Sequence, residues 1–299
     1  MPKPREDITF ESGGLRCAGW FYRPEGPGPY PCVVLAHGLG GIRSHRLDQY
    51  SQAFAAAGIA ALAFDYRYFG DSEGEPRLLV SISRQLADYE AALHWVWAHP
   101  EIDPKRVAVW GSSFSGGHVM ALAAKHPQIA AAVAQCPFTD GVGDGLKMRS
   151  VWQSLRLTVA GVYDQLRGLL GLSPFYVATV GAPGSLAALN RPGALEGYLE
   201  VAKAGGHGEE WKPLITARTL IRIPFYRPIT QTEKILCPLL ICVCEADTEV
   251  IPESAHRAAK RAPRGESKGY PLTHFQIYLG DNFASVVGDQ ISFLKKHLI

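Results

Sequence analysis

The sequence has no long apolar run and no excess of one charge, and both absences restrict what it can encode. No apolar stretch in the 299 residues is long enough to span a bilayer, and the opening MPKPREDITF lacks the apolar segment of a secretory signal. The 30 Lys and Arg residues nearly balance 28 Asp and Glu residues, which gives a formal net charge of +2. That balance offers no electrostatic attraction for nucleic acid or a membrane surface. We therefore expect a cytoplasmic protein that binds neither nucleic acid nor a membrane.

The sequence also has no cysteines at metal-binding spacing. It has six cysteines in all, namely Cys17, Cys32, Cys136, Cys237, Cys242 and Cys244. Four of them sit in apolar strand-like runs, where cysteine behaves as a small buried hydrophobic residue. The C-x-C pair at 242 and 244 has no further Cys or His nearby at zinc spacing. We expect free thiols in a reducing compartment, with no metal and no cofactor.

What the sequence does contain is a regular alternation of apolar runs and helical patterns. The strand-like runs are DITFES, LRCAGWFY, PCVVLAH, IAALAFDY, RVAVWG, IAAAVAQC, PLLICVC and GESKGYP, and helical patterns cover 47–57, 80–98, 114–125, 252–261 and 283–298. Continuous apolar strands that alternate with helices predict an α/β protein with right-handed βαβ units and a mostly parallel central sheet. Only Gly13 and Gly14 separate the first two runs, which predicts an antiparallel hairpin at the N-terminal edge.

Residues 141–232 interrupt this alternation. The segment shows no convincing strand, and it contains apolar helical pieces such as SVWQSLRLTVAGVYDQLRGLL. Because it is too long for a loop between two core strands, we predict a helical cap, or lid, inserted into a core formed by residues 1–140 and 233–299. Most aromatic residues of the cap should pack within it, and Trp152 is a candidate for contact with substrate.

Three serines lie in WGSSFSGGH, where the run RVAVWG meets the next helical pattern. A nucleophile elbow is a tight strand-to-helix turn that lifts a serine hydroxyl above the edge of the sheet, and it requires small residues two before and two after the nucleophile. Centred on Ser112, those positions would hold a Trp and a Phe. Ser115 lies a turn inside the helix. Ser113 directly follows the strand and has Gly111 and Ser115 at the two positions, so it is the predicted nucleophile.

The acid and the base of a triad should follow Ser113 along the chain. Asp247 ends the buried run PLLICVC, and carboxylates at the carboxyl ends of strands face the same edge as the elbow. Asp140, which follows the run ending in AQC, is the rival acid. Of the ten histidines, His274 follows the last strand-like run and Asp247, so its loop can place the imidazole between acid and serine. The order serine, acid, histidine favours Ser113, Asp247 and His274.

The segment HGLGG after PCVVLA is the candidate for an oxyanion hole. A glycine-rich turn leaves several backbone N–H groups free, and one of them can act together with the N–H of Phe114 on a developing negative charge. Leu39 is the preferred donor, and Gly38 and Gly40 are less favoured alternatives. A phosphate-binding loop is the rival interpretation, but the segment lacks both the Lys-Ser/Thr of a P-loop and the Rossmann spacing of glycines.

With these motifs the chain resembles the α/β-hydrolase superfamily. The matching blocks, in the family's order, are HGLGG, FDYRYFGDSEGEPR, WGSSFSGG, QCPFTDG, EADTEV and THFQIY. Within the superfamily, the chain is similar to the branch related to dienelactone hydrolases and X-Pro dipeptidyl-peptidase (S15-like) hydrolases, and to esterases and polyketide acyl transferases. The resemblance implies a triad of Ser113, Asp247 and His274, with oxyanion donors at Leu39 and Phe114.

Two positions depart from the family pattern. Ser115 stands in the elbow where glycine is more usual, and it is small enough to be accommodated. Tyr68 stands in DYRYFGDS where the family often has glycine, and it lies near the edge of the sheet that bears the active site. We therefore take Tyr68, with Trp152, as a candidate for contact with substrate.

The expected function is hydrolysis of a carboxylic ester or thioester with an apolar, medium-sized to bulky acyl group, through an acyl-enzyme on Ser113. An acyltransferase that moves a polyketide-like acyl group to an alcohol, amine or thiol is the alternative. A non-catalytic small-molecule binding protein on the same fold is a third and weaker interpretation. The sequence leaves the oligomeric state open, with a homodimer as one arrangement considered.

Overall fold

The computed structural model describes residues 5–148, 150–206 and 213–299. Its strands, in chain order, are β1 (Glu6–Ser12), β2 (Leu15–Tyr22), β3 (Tyr30–Ala36), β4 (Ala60–Phe64), β5 (Ile102–Ser112), β6 (Ala131–Gln135), β7 (Tyr176–Val180), β8 (Ala187–Leu189), β9 (Leu214–Thr216), β10 (Leu239–Cys244) and β11 (Gly265–Tyr270). Its α-helices are α1 (Leu47–Ala56), α2 (Ile82–Ala98), α3 (Phe114–Lys125), α4 (Gly141–Met148), α5 (Val151–Leu169), α6 (Ala194–Ala204), α7 (Pro252–Arg261) and α8 (Gly280–Leu298). None of the helices in these ranges has both the length and the apolarity needed to cross a membrane.

Eight strands form the central sheet in the order β1-β2-β4-β3-β5-β6-β10-β11. Strands β1 and β2 pair antiparallel, as do β2 and β4, and the remaining neighbours pair parallel. The predicted mostly parallel sheet with an antiparallel N-terminal edge is therefore confirmed. The chain leaves β3 toward β4 on one side and later adds β5 on the other side. This change of direction opens a crevice at the carboxyl ends of β3 and β5, which is where ligands bind in such sheets.

Helices cover both faces of the sheet and bury its apolar strands. All seven residues of β3 are buried, as expected for a strand with helices on both sides. One core contains residues of α2, α3 and α7, such as Tyr89 and Met120, and the other contains residues of α1 and α8, such as Phe54 and Leu294. The two cores fix the strands, so the loops at their carboxyl ends are held by a rigid support.

The segment predicted as a purely helical cap is mixed, and this is a correction. Besides α4, α5 and α6 it holds a second sheet in the order β8-β7-β9, in which β7 pairs parallel with β8 and antiparallel with β9. Strands of three residues are too short to show a period of two, so the pattern could not reveal β8 and β9. Trp211, one of the cap aromatics, lies outside the described residues. We propose the same division for the folded chain, with a core of 1–140 and 233–299 and a cap of 141–232.

Candidate active site

Ser113 occupies a strained turn between β5 and α3. Its backbone has φ 56° and ψ −117°, which a non-glycine residue adopts only when its surroundings impose it. The turn is held from both sides, because Ser113 N–H donates to the Gln135 carbonyl (2.9 Å) and the Ser113 carbonyl accepts from Gly116 (3.0 Å) and Phe138 (2.8 Å). At Gly111 a Cβ would collide with the backbone of Ser115, so only glycine fits there. This is the geometry of a nucleophile elbow.

His274 links Ser113 to Asp247 by two hydrogen bonds. Its Nε2 lies 3.0 Å from Ser113 Oγ, and its Nδ1 lies 2.7 Å from Asp247 Oδ2. The other carboxylate oxygen of Asp247 accepts from the N–H groups of Glu249 (2.8 Å) and Val250 (3.0 Å), which fixes the plane of the carboxylate. The side chain of Asp247 is fully buried and that of His274 is 4% exposed. The arrangement has the geometry of a nucleophile, a base and an acid that orients the base.

The electrostatics of His274 suit a general base. Burial is the largest single influence and disfavours the charged imidazole, but the Asp247 carboxylate and the Cys136 sulfur together outweigh it and raise the pKa of His274 well above its ordinary value. A base with a raised pKa accepts the serine proton more readily, and the buried carboxylate stabilises the imidazolium that forms.

The rival acid is engaged elsewhere. Asp140 accepts two hydrogen bonds from the Arg227 guanidinium, at 2.7 and 3.0 Å, and a third from Gly143 N–H at 3.0 Å. Burial would raise the pKa of Asp140, but Arg227 holds it below its usual range. Of the two candidates for the acid of the triad, Asp247 is the one that contacts His274. Asp140 instead forms a salt bridge at the point where the chain enters the cap.

The two neighbouring serines make hydrogen bonds away from His274. Ser112 Oγ bonds with the hydroxyl of Tyr278 and accepts from Gln135 Nε2 at 3.1 Å. Ser115 Oγ bonds with the hydroxyl of Tyr66 at 2.7 Å and donates to the His37 carbonyl. The serine that replaces the usual glycine therefore fits because the sheet and the glycine-rich loop provide partners for its hydroxyl.

Two other buried histidines lie close to the elbow without serving it. His118 pairs with the hydroxyl of Tyr226 at 2.8 Å and with Gln85 at 3.1 Å, and burial lowers its pKa to about 3. His37 directs Nδ1 toward the Gly38 carbonyl at 3.0 Å, and burial lowers its pKa as well. Both rings are therefore neutral parts of the packing.

The glycine-rich loop after β3 lies directly against the nucleophile. A Cβ on Gly38 would stand 3.0 Å from Ser113 Cβ, so a larger residue would crowd the serine. The loop is held from the cap side by Tyr198, whose hydroxyl donates to the Leu39 carbonyl at 3.0 Å. Leu39 and Phe114 line one cavity together with Ser113, and neither of their N–H groups is assigned an acceptor within the described ranges. The two residues predicted as oxyanion donors therefore lie beside Ser113.

Two cavities flank Ser113. The larger one, of about 620 Å³, lies between the core and the cap and is lined mainly by apolar side chains: Leu39, Phe114, Phe138, Val142, Leu157, Val162, Leu189, Leu220, Ile221, Ile223, Pro224, Phe225 and Val250. The smaller one, of about 50 Å³, lies on the His274 side and is bordered by His45, Ser112, Tyr198 and Tyr278. A cavity of that size holds a few waters and nothing larger.

Tyr68 and Trp152, the two residues predicted to contact substrate, line neither cavity, and this is a correction. Tyr68 is 3% exposed, is packed in the core against Gly74, and its hydroxyl accepts a hydrogen bond from Arg84. Trp152 is 67% exposed. It lies on the face of α5 opposite Ser154 and Thr158, whose side chains border the large cavity. Sequence position near the site did not determine the direction of either side chain.

The residues that form the wall of the cavity were not identified from the sequence. Ser154, Leu157 and Thr158 of α5 are three and four residues apart and share a helical face, and this spacing was the available signal. Glu249 also borders the cavity although its side chain is buried, and burial raises the pKa of its carboxyl. Glu249 lies two residues after Asp247, and no sequence pattern distinguishes it from a solvent-exposed loop acid.

Cys136 places a thiol next to the triad. Its Sγ, a carboxylate oxygen of Asp247 and a ring nitrogen of His274 lie within 4.8 Å of one another, the only such group found in the described part of the chain. The carboxylate and the imidazole are already hydrogen-bonded to each other, so their geometry fits a triad better than a set of metal ligands. All six cysteines are free and buried.

Comparison with known proteins agrees with this geometry. A family profile described as X-Pro dipeptidyl-peptidase (S15 family) matches residues 14–166. The quorum-quenching protein AidA of Acinetobacter baumannii (strain MDR-ZJ06) is 40% identical over 296 residues, which are 99% of this chain and 96% of AidA. The polyketide transferase ATR5 of Stachybotrys chlorohalonatus (strain IBT 40285) is 26% identical over 302 residues, 98% of each chain.

Among solved structures, the α/β hydrolase GrgF from Penicillium sp. sh18 matches with a TM-score of 0.82 and 24% identity over 99% of both chains. At this identity the likeness concerns the fold alone. It confirms the architecture that the strand and helix patterns predict.

Proposed function

The chain belongs to the X-Pro dipeptidyl-peptidase (S15) family of α/β-hydrolases, and from this premise we propose that it is a serine hydrolase that cleaves a carboxylic ester or thioester with an apolar, medium-sized to bulky acyl group. One observation carries the proposal. The Ser113 hydroxyl lies 3.0 Å from His274 Nε2 at the edge of a cavity of about 620 Å³ with mainly apolar walls. A binding protein would need the cavity but not a complete hydrogen-bonded triad.

The reaction begins with proton transfer from Ser113 to His274. His274 Nε2 takes the proton of the hydroxyl as Oγ forms a bond to the substrate carbonyl carbon. The carbonyl π electrons move to oxygen, and this oxyanion accepts hydrogen bonds from the Leu39 and Phe114 N–H groups. Loss of one such donor typically costs about 3 kcal/mol of transition-state stabilisation. Asp247 holds the imidazole in the required tautomer and stabilises its positive charge.

Collapse of the tetrahedral intermediate forms the acyl-enzyme. The bond between the carbonyl carbon and the leaving oxygen or sulfur breaks, and His274 gives its proton to that atom. In the second half His274 takes a proton from water, the resulting hydroxide attacks the acyl carbon, and the proton passes to Ser113 as the acid is released. The small cavity beside His274 is the proposed position of this water, because it has room for water and borders both Ser113 and His274.

The large cavity is the proposed site for the acyl group. Its walls are mainly aliphatic and aromatic, so it favours a medium-sized or bulky apolar chain over a charged one. The similarity to a protein named for quorum quenching favours a diffusible small molecule as substrate. We propose cytoplasmic action, since six free and buried thiols suit a reducing compartment.

An acyltransferase is the second candidate, and the similarity to a polyketide transferase favours it. Transfer uses the same acyl-enzyme and replaces water by an alcohol, an amine or a thiol. Product analysis distinguishes the two: hydrolysis releases the free acid even in the presence of a competing nucleophile. Transfer instead gives mainly the new ester, amide or thioester.

The test is a panel of p-nitrophenyl esters and acyl thioesters of graded chain length, measured with the wild type and with Ser113→Ala. We expect kcat/KM to rise with chain length as the apolar cavity fills, and S113A to lose nearly all activity. The variant Ser154→Ala is a matched control, because it also removes a hydroxyl bordering the large cavity but lies outside the triad. S113A with wild-type rates, or a wild type inactive on the whole panel, would contradict the proposal.

A further inference from the structure

Helix α5 carries an apolar face that the described chain leaves largely exposed. Its members are 45–81% exposed and extend along all 19 residues of the helix: Val151, Trp152, Leu155, Val159, Val162, Tyr163, Leu166, Leu169 and Leu170 at its end. We call this set the α5 face. Single exposed hydrophobic residues are normal on protein surfaces, but a contiguous row of this length is not.

The helix already has a separate face directed to the core. Its buried residues are Leu157, Ala160, Gly161 and Asp164. Asp164 accepts hydrogen bonds from the backbone and the guanidinium of Arg218, at 2.7 to 2.9 Å. At about 100° per residue, the members of the α5 face fall within an arc of about 120°. The cap therefore does not need the α5 face for its own packing.

The area of the α5 face matches one half of a stable protein interface. The α5 face consists of one Trp, one Tyr and seven aliphatic side chains, and it exposes on the order of 800–1,000 Å² of apolar surface. The largest apolar patch on the surface of a typical monomer is about 300–600 Å². Two such faces would bury roughly 1,600–2,000 Å², the standard size for a specific complex.

The charges around the α5 face favour a protein partner over a membrane. Interfacial membrane helices carry many basic residues beside their apolar side. Helix α5 has only Arg156 and Arg167, and each donates to a backbone carbonyl of its own chain, at 3.0 and 2.7 Å. With a net charge of +2, two copies of the chain repel each other only weakly.

We propose that the α5 face packs against the same face of a second copy of this chain in a twofold-symmetric dimer. An isologous contact needs a surface that is complementary to itself, and a uniform apolar stripe along one straight helix meets this requirement when the two helices cross antiparallel. The area, the near-neutral charge and the separate core face of α5 all support the second copy as the occupant.

The dimer would also close the large cavity. Val162 belongs to the α5 face and lines the cavity, and Val142 and Phe225 line it while being 45% and 78% exposed. These exposed residues mark the opening, or mouth, of the cavity. A second copy packed over Val162 covers this mouth and excludes water from the acyl group. This consequence rests on the proposed function, whereas the association itself does not.

The experiment measures molar mass by light scattering during gel filtration at micromolar concentrations. We expect twice the chain mass for the wild type and half of that value for Leu166→Lys, which lies in the middle of the α5 face and outside the cavity wall. Leu236→Lys, at a residue 63% exposed away from α5, is the matched control and should stay dimeric. Circular dichroism and thermal unfolding of both variants establish that they are folded.

A monomeric wild type would overturn the proposal. So would a result in which both single variants, L166K and Leu155→Lys, remain dimeric. A monomeric wild type that sediments with phosphatidylglycerol vesicles would identify a membrane as the partner and overturn it too. If the mouth closes on dimerisation, monomeric L166K raises KM for a long-chain ester several-fold and leaves the kcat/KM of p-nitrophenyl acetate unchanged. A dimeric wild type with no activity on any ester would refute the proposed function and leave the interface standing.

Discussion

At the scale of single residues, the site depends on backbone positions that tolerate only small side chains. Gly111 faces the backbone of Ser115 across the turn, and Gly38 faces the nucleophile itself. Ser113 keeps φ 56° because three backbone hydrogen bonds hold its peptide groups from both sides. The direction of the Ser113 hydroxyl is therefore set by packing around the turn and not by the serine alone.

Gly111→Ala should distort the elbow, because the new Cβ would collide with the Ser115 backbone. We expect kcat/KM to fall by at least about 100-fold, as a shift near 1 Å at the nucleophile costs that much. Gly288→Ala on the exposed side of α8 is the control, since its Cβ meets open space. Ester kinetics and thermal unfolding decide the matter, and G111A with activity equal to that of G288A would refute the role given to Gly111.

The pH dependence of kcat/KM should report the charge of His274. The carboxylate of Asp247 raises the pKa of His274 above 6.5 despite burial, and only the neutral imidazole can accept the serine proton. Activity should therefore be lost as the pH falls, with the midpoint of the acid limb above pH 6.5.

Asp247→Asn removes the first of the two groups that raise this pKa, so Cys136 alone then acts against burial. We expect the midpoint to move below that of the wild type and kcat to drop by about 10³–10⁴-fold, because the imidazole also loses its tautomer control. Glu245→Gln, an exposed acid near the same strand end, serves as the control with a wild-type profile. A midpoint that stays fixed in D247N would show that another group controls the limb.

At the scale of elements, a buried ion pair helps to join α5 to the rest of the cap. Asp164 is fully buried and binds the guanidinium of Arg218 through both oxygens, at 2.7 and 2.9 Å. Burial would raise the pKa of Asp164, but Arg218 holds it below its ordinary value. The contribution of this carboxylate to stability is therefore present above pH about 4 and is lost as the pH falls through the lowered pKa.

Arg218→Ala should leave the buried Asp164 carboxylate without its charged partner, with only the N–H groups of Phe175 and residue 218 as donors. The expected loss in the free energy of unfolding is about 3–5 kcal/mol, measured by denaturant titration at neutral pH. Arg261→Ala breaks a surface pair with Glu233 and should cost less than about 1 kcal/mol. Equal losses in the two variants would show that the buried pair does not anchor α5.

Most strands and helices of the core could be predicted from the sequence because they have a clear period or an unbroken apolar run; the exception to this pattern is the edge strand β11, which is polar and mainly exposed. The cap could be predicted only in part, since β8 and β9 have three residues each and follow no visible period. Tyr68 and Trp152 show a second limit: a residue can belong to a segment that borders the site while its side chain packs into the core or faces outward.

At the scale of the whole molecule, the sheet brings the ends of three separate strands together. Ser113 follows β5, Asp247 follows β10 and His274 follows β11, yet they form one chain of hydrogen bonds. Chain order and strand ends were sufficient to predict that these three side chains would meet. The cavity could not be predicted in the same way, because much of its wall comes from helices of the cap whose positions depend on tertiary packing.

The central claim is that Ser113 forms a covalent acyl-enzyme. The most direct measurement is mass spectrometry of the protein after reaction with a fluorophosphonate, which forms a stable adduct on activated serines, followed by peptide mapping. We predict one adduct, located on Ser113, in the wild type and in the controls Ser112→Ala and Ser115→Ala, and none in Ser113→Ala. An unmodified wild type, or an adduct that persists in S113A, would contradict the account.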